Sequence, residues 1–163
     1  RLDGELLYQI ISQRPDYSFV FTGPEDDIFR RDRIHSLKNA YFTGQKKVDE
    51  LPAYIAAYDV CINPQMVNEI TDGNYPLKID EYLAMGKPTV ATSTHTMRNI
   101  FAGHTHLAIN PEEWLAAIDR AVTEADDKEL AKQRITFAET HSWGHSVKKI
   151  YEIIDSFLKK KTT

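Results

Sequence analysis

The chain alternates between two kinds of segment, and that alternation restricts the fold more than any single residue does. Five short runs, at 17–21, 40–43, 59–63, 87–92 and 106–110, are rich in β-branched and aromatic residues, and most end at Gly or Pro. Such nearly continuous apolar runs suit strands buried on both faces, not strands with one wet face. Between them lie segments with helical spacing. Leu6, Leu7, Ile10 and Ile11 share one face, and Pro15 closes that segment. A short helix is expected around 28–35, and helices over 49–58, with Pro52 in the first turn, and 76–85, which Gly86 stops. Further helices are expected over 111–124, 127–140 and from 144 or 145 to about 159. In the last, Val147, Ile150, Tyr151, Ile154 and Phe157 fall on one side and read as core, with Trp143 as the anchor. Residues 159–163, Lys-Lys-Lys-Thr-Thr, read as a frayed end. Strands alternating with helices specify an α/β fold with a doubly wound parallel sheet, Rossmann-like, over one domain spanning 1–163.

Composition narrows the function. At 163 residues, 42% hydrophobic and 27% charged, the chain fits one soluble domain. A net charge of −4 argues against a nucleic-acid partner, which needs a basic face. Cys61, the single cysteine, lies in the apolar run YDVCIN and reads as a small buried hydrophobe. No apolar stretch approaches the ~20 residues of a membrane span, and no signal peptide is seen, so the domain reads as cytoplasmic. The first residue is Arg, which suggests a piece of a longer chain.

In an open α/β sheet, ligands bind beyond the carboxyl ends of the strands. Three loops reach that edge: 22–27 with Gly23, 44–47 with Gly44 and Gln45, and 65–75. The third has no regular pattern and runs Asp72-Gly73-Asn74-Tyr75 into a helix that opens at Pro76. Free N–H groups at a helix start, with the helix dipole behind them, favour a phosphate or diphosphate. Lys78 in the first turn would add positive charge, and Glu81 one turn on would accept hydrogen bonds from a sugar's vicinal hydroxyls. The plainer alternative is a Lys78–Glu81 surface ion pair, three residues apart on a helix. The spacing alone does not choose between them.

The segment YPLKIDEYLAMGKPTVAT, residues 75–92, closely resembles the signature helix and strand of the family 4 glycosyltransferases, also called glycosyl transferases group 1. FVFTG at 19–23, YFTG at 41–44, LPAYIAAYDVCINP at 51–64 and His141-Ser142-Trp143 before the last helix agree in order. The resemblance covers nearly the whole chain. It implies the C-terminal, nucleotide-sugar-binding lobe of a two-lobed GT-B enzyme of the retaining type, using a UDP- or GDP-sugar, in surface polysaccharide or glycoconjugate synthesis. Glu81 would then bind the ribose hydroxyls. Backbone near Asn74 and Tyr75 would hold the diphosphate, and the 44–48 loop would pass beside the base. No metal or other cofactor is implied, and catalytic residues stay unassigned.

Departures from the family pattern carry expectations of their own. The family often places an acidic residue eight positions before the helix glutamate; here Gly73 stands there, so either Asp72 or loop backbone would touch the donor sugar. A central strand, a glycine-bearing loop and an Arg/Lys pair would precede Arg1, or another segment would fill that strand's slot. The N-terminal acceptor lobe, toward which the apolar face of the last helix can cross in such enzymes, and a sugar or lipid-linked acceptor would be the other partners, so this lobe alone should be inactive. Peripheral association at the inner membrane face would run through that lobe. A sugar-nucleotide 2-epimerase lobe and a flavodoxin-like signalling module are the competing readings. His104 and His106 alternate as on a strand face, without the ligand spacing of a zinc site. Ser93 or Thr94 reads as a helix N-cap.

Overall fold

A computed structural model of the chain describes residues 2–161. In chain order the elements are α1 (Gly4–Ser12), β1 (Phe19–Thr22), two 3₁₀ turns (Phe29–Arg31, Arg33–Ser36), β2 (Ala40–Gly44), α2 (Leu51–Ala57) and β3 (Cys61–Asn63). There follow α3 (Glu69–Asp72), α4 (Leu77–Ala84), β4 (Thr89–Thr92), a π-helical turn (Met97–Phe101), β5 (His106–Ala108), α5 (Pro111–Thr123), α6 (Lys128–Glu139) and α7 (Trp143–Lys161). All strand pairings are parallel, as the apolar runs require.

Consecutive residues of a strand point to opposite faces, and β4 shows the result. Val90 belongs to the core formed with α1, α5, β1 and β5, through Leu7, Ile10, Ile11, Phe19, Ala108, Trp114 and Ile118. Its neighbour Ala91 belongs to a second core with Ile79 and Leu83 of α4, Met97, Phe101 and Ala138 of α6. Helices therefore cover both faces. Each fully buried large side chain contributes about 1.5–3 kcal/mol, so the two layers carry most of the stability.

Short polar residues set the helix starts. Asp3 accepts from the Leu6 amide at 3.1 Å, Asn110 from Glu113 at 2.9 Å, and Asp127 from Glu129 and Leu130 at 2.9 and 3.0 Å. The Thr94 hydroxyl accepts from the Met97 amide at 3.3 Å, the cap that the sequence led us to expect there. At the other end of α4, Gly86 has φ +72°, and a Cβ on it would sit 3.1 Å from Ala131 Cβ of α6. Glycine at that point lets the chain turn and lets α6 close on α4.

The sheet differs from a single continuous one. β1 and β2 form one pair and β3, β4 and β5 another group, and no strand among the described residues lies between β1 and β3. Leu2 and Asp3 do not fill that place. They reach only the carboxyl end of β3, where Leu2 bridges Gln65 and the Asp3 amide donates to Pro64 O at 3.0 Å.

Three local expectations are corrected. The 65–75 loop holds a turn of helix, α3, closed by a reciprocal box in which Asn68 accepts from Thr71 N and Thr71 Oγ1 accepts from Asn68 N. Trp143 is 86% exposed, and the apolar side of α7 lies in solvent, not in the core. Periodicity reports an apolar face but not what covers it. Lys159 to Lys161 continue α7 rather than fray, while Thr162 and Thr163, like Arg1, lie outside the described residues.

Candidate functional site

The anticipated ligand-binding residues fall into two groups at the carboxyl edge. At β1 and β2 the backbone turns sharply. Gly44 has φ +70°, a conformation open to glycine at little cost, and the Gly23 amide donates to Gly44 O at 3.1 Å. Beneath them, Thr22 Oγ1 lies 2.6 Å from Tyr58 Oη and 2.9 Å from Thr43 Oγ1, a hydroxyl cluster that fixes the two strand ends to α2. Gln45 projects into solvent just beyond.

The second group surrounds the start of α4. Asp72 ends α3, and its Oδ1 accepts from the His95 amide at 2.7 Å, tying the loop to the segment that leaves β4. Gly73 and Asn74 are exposed, and a Cβ on Gly73 would meet nothing within 4 Å. Pro76 occupies the N-cap of α4, where no side chain caps the helix, unlike the starts of α1, α3, α5 and α6. The Ile79 amide donates to Pro76 O at 2.8 Å, which leaves the Leu77 and Lys78 amides facing the loop without a capping side chain. Lys78 and Glu81 are both exposed, and neither enters the ion pairs formed among the described residues. The surface-pair reading of these two residues is therefore not what the structure adopts. No hydrogen bond or ion pair among the described residues joins the two groups, which sit on different sheets.

A buttress behind α4 went unseen in the sequence. Tyr75 Oη donates to Asp80 Oδ2 at 2.6 Å, and Asp80 Oδ1 lies 3.3 Å from His141 Nδ1. The latter contact has the distance of an ion pair without hydrogen-bond alignment, since neither atom finds a well-aligned partner. The His141 ring packs edge-on against Phe137 at 4.6 Å, and Tyr75 leans on Phe101 at 5.5 Å. Burial, followed by the Asp80 hydrogen bond, holds the Tyr75 hydroxyl well above its ordinary pKa, so it stays a donor. The one available signal was the His141-Ser142-Trp143 motif. Nothing in the spacing joined it to a residue sixty positions earlier.

His104 and His106 serve the scaffold. His104 stacks on Phe137 at 3.9 Å, and His106 Nε2 lies 3.0 Å from Glu124 Oε1, whose other oxygen binds the buried Arg134. Among the described residues no group of three or more His, Cys, Asp or Glu side chains is placed to hold a metal. Cys61 is 4% exposed, and burial raises its thiol to about 12, the inert hydrophobe expected. Two surface depressions, of about 230 and 360 Å³, lie on α7 and beside α6, not at the α4 start.

A parallel sheet covered on both faces, with its loops and the uncapped start of α4 at the carboxyl edge, is one lobe of the GT-B architecture. The family described as Glycosyl transferases group 1 matches residues 5–124, and the chain belongs to it. A Bacillus subtilis (strain 168) protein assigned as the teichuronic acid biosynthesis glycosyltransferase TuaH is 28% identical over 149 residues. That alignment covers 88% of this chain and 37% of TuaH, so the chain spans little more than a third of that relative. The crystal structure of AviGT4, a glycosyltransferase involved in avilamycin A biosynthesis, superposes with a TM-score of 0.53 at 13% identity. It covers 86% of this chain and 48% of AviGT4, and at that identity the likeness concerns the fold.

Proposed function

We propose that this chain is the donor-binding lobe of a retaining glycosyltransferase that uses a UDP- or GDP-sugar, acting in surface polysaccharide or glycoconjugate synthesis. The observation that carries the reading is the start of α4. It has no side-chain cap, it follows an exposed Gly73-Asn74 turn, and Lys78 and Glu81 project from its first turns unpaired. Backbone N–H groups there, backed by the helix dipole, suit a diphosphate, and Lys78 adds a mobile positive charge. Glu81, held one turn further along, suits the ribose hydroxyls, and the Gly23 and Gly44–Gln45 turns suit the base. Asp72 accepts from His95 through Oδ1 alone, so its Oδ2 or the exposed backbone at Gly73 and Asn74 suits the donor sugar.

On this reading the lobe acts on charge. Negative charge develops on the departing diphosphate, and fixed dipoles with Lys78 stabilise it in place of a divalent metal. An acceptor lobe in the same protein closes the cleft and presents the sugar or lipid-linked acceptor, and this lobe alone does not turn over. The test is calorimetric titration of UDP, GDP and ADP into the full-length protein. Glu81→Ala is expected to weaken binding of the preferred nucleotide by about 1–3 kcal/mol, as loss of hydrogen bonds to a charged acceptor does. No binding of any of the three at millimolar concentration refutes the proposal. Unchanged affinity in a folded Glu81→Ala variant removes Glu81 from it.

A further inference from the structure

A helix start that binds an anion has to keep its positive end free, and α4 carries a group that works against this. The helix holds one lysine, Lys78, against two carboxylates, Asp80 and Glu81. Asp80 stands in the first turn, where a carboxylate takes up the positive end of the helix dipole for itself. Side chains on a helix lean toward its N-terminus, so the Asp80 carboxylate lies over the opening turn. The 2.6 Å bond from Tyr75 Oη to Asp80 Oδ2 fixes it there, beside the backbone that the donor reading gives to the diphosphate. Left uncompensated, that charge repels a diphosphate.

The compensating group comes from far along the chain. His141 Nδ1 faces Asp80 Oδ1 at 3.3 Å, and both atoms are shut off from water without a hydrogen-bond partner. Aromatic rings close round the imidazole, Phe137 edge-on at 4.6 Å and Phe101 at 5.9 Å, so the attraction is weakly screened. The titratable groups around His141 are Asp80 of α4, the Tyr75 hydroxyl that shares it, and His104, which stacks on Phe137. Burial first, then the charges of His141 and Arg134, lower the His104 pKa, so the proton of this histidine pair belongs to the one that faces a carboxylate. We propose that His141 is a positioning residue for the donor diphosphate: its imidazolium neutralises Asp80 and leaves the α4 start to the donor's anion. Asp80 then keeps the Tyr75 bond that sets the turn without acting as a competing charge. This rests on the donor reading and adds to it a residue that acts through Asp80.

The test is calorimetric titration of the full-length protein with UDP and GDP at about pH 6, where a histidine facing a carboxylate carries its proton. Circular dichroism melts accompany each titration. His141→Gln is expected to weaken the preferred nucleotide about fivefold to tenfold, the effect of one unit charge a few ångströms away in a wet site. Asp80→Asn keeps an acceptor for Tyr75 but drops the charge, so it should bind at least as tightly as the parent although it melts lower. The double variant should regain the parent's affinity within about twofold, while melting lower still. A contact that only braces the helix would instead lower affinity and stability together in all three. Weaker binding by Asp80→Asn, no recovery in the double variant, or parent-like binding by His141→Gln would overturn the proposal. Should His141→Gln not fold, Asp80→Asn decides by itself. A parent that binds neither nucleotide refutes the donor reading and this role with it. A parent that binds, with variants that follow the bracing pattern, refutes this role alone.

Discussion

Replacing Asp80 by Ala should loosen the start of α4 by a predictable amount. Asp80 accepts a 2.6 Å hydrogen bond from Tyr75 and stands 3.3 Å from His141, with side chains only about 20% and 25% exposed at the second contact. A hydrogen bond to a charged acceptor contributes about 1.5–3 kcal/mol. The misaligned His141 contact adds less than about 1 kcal/mol, as partly wet ion pairs do. Tyr75 is 36% exposed, so its freed hydroxyl regains water, which trims the loss. The net expectation is about 2 kcal/mol, or a fall in Tm of roughly 4–8 °C for a chain of this length. Asp80→Asn keeps an acceptor for Tyr75 and should lose about half as much. Chemical denaturation of wild type, Asp80→Ala, Tyr75→Phe and the double variant closes a cycle, with a coupling energy of about 1 kcal/mol expected. A loss below 0.5 kcal/mol for Asp80→Ala, or strict additivity in the cycle, would show that the buttress does not hold the helix start.

Other expectations concern the surrounding scaffold. Gly86→Ala puts a Cβ in the left-handed region and 3.1 Å from Ala131 Cβ, so thermal melts should show a loss of about 1–3 kcal/mol, only partly restored by Ala131→Gly. Arg14 grips Asp119 from α5, with Nε donating to Oδ1 at 2.8 Å and Nη2 bonding the other oxygen. This bond, with help from Tyr17, holds the carboxyl below its ordinary range. A lowered folded pKa makes the stabilisation complete above the ordinary carboxylate range and lost as pH falls through the lowered value. Asp119→Asn should therefore flatten the acid side of the stability profile, and an unchanged profile would dismiss the pair. Cys61, buried with its thiol near 12, should resist maleimide in the native protein and react at the rate of unfolding. Prompt labelling of folded protein would contradict its burial.

Much of the fold was legible because it depends on local chemistry. The five apolar runs became five parallel strands, Gly86 ends α4 where expected, and Asn110 and Asp127 start helices where short polar residues precede apolar periodicity. The Asn68–Thr71 box inside the 65–75 loop is equally local, but one turn of helix leaves no periodicity to count. The candidate site divides in the same way. Lys78, Glu81 and the turn before them follow from one continuous segment. The Tyr75–Asp80–His141 buttress and the Asp72–His95 tie join residues far apart in sequence, and no single-segment pattern reports such pairs.

By itself, the sequence determined which segments are strands and helices, which face of each is apolar, and that Cys61 would be buried. Turn residues, caps and periodicity act within a few positions, so they can be read without a neighbour. Only the tertiary structure decided that Lys78 and Glu81 stand apart and that the apolar face of α7 is exposed. An amphipathic helix has the same pattern whether its partner is a protein core, a lipid surface or water. The pattern records the need for an apolar neighbour, and only the packed chain shows whether one is there.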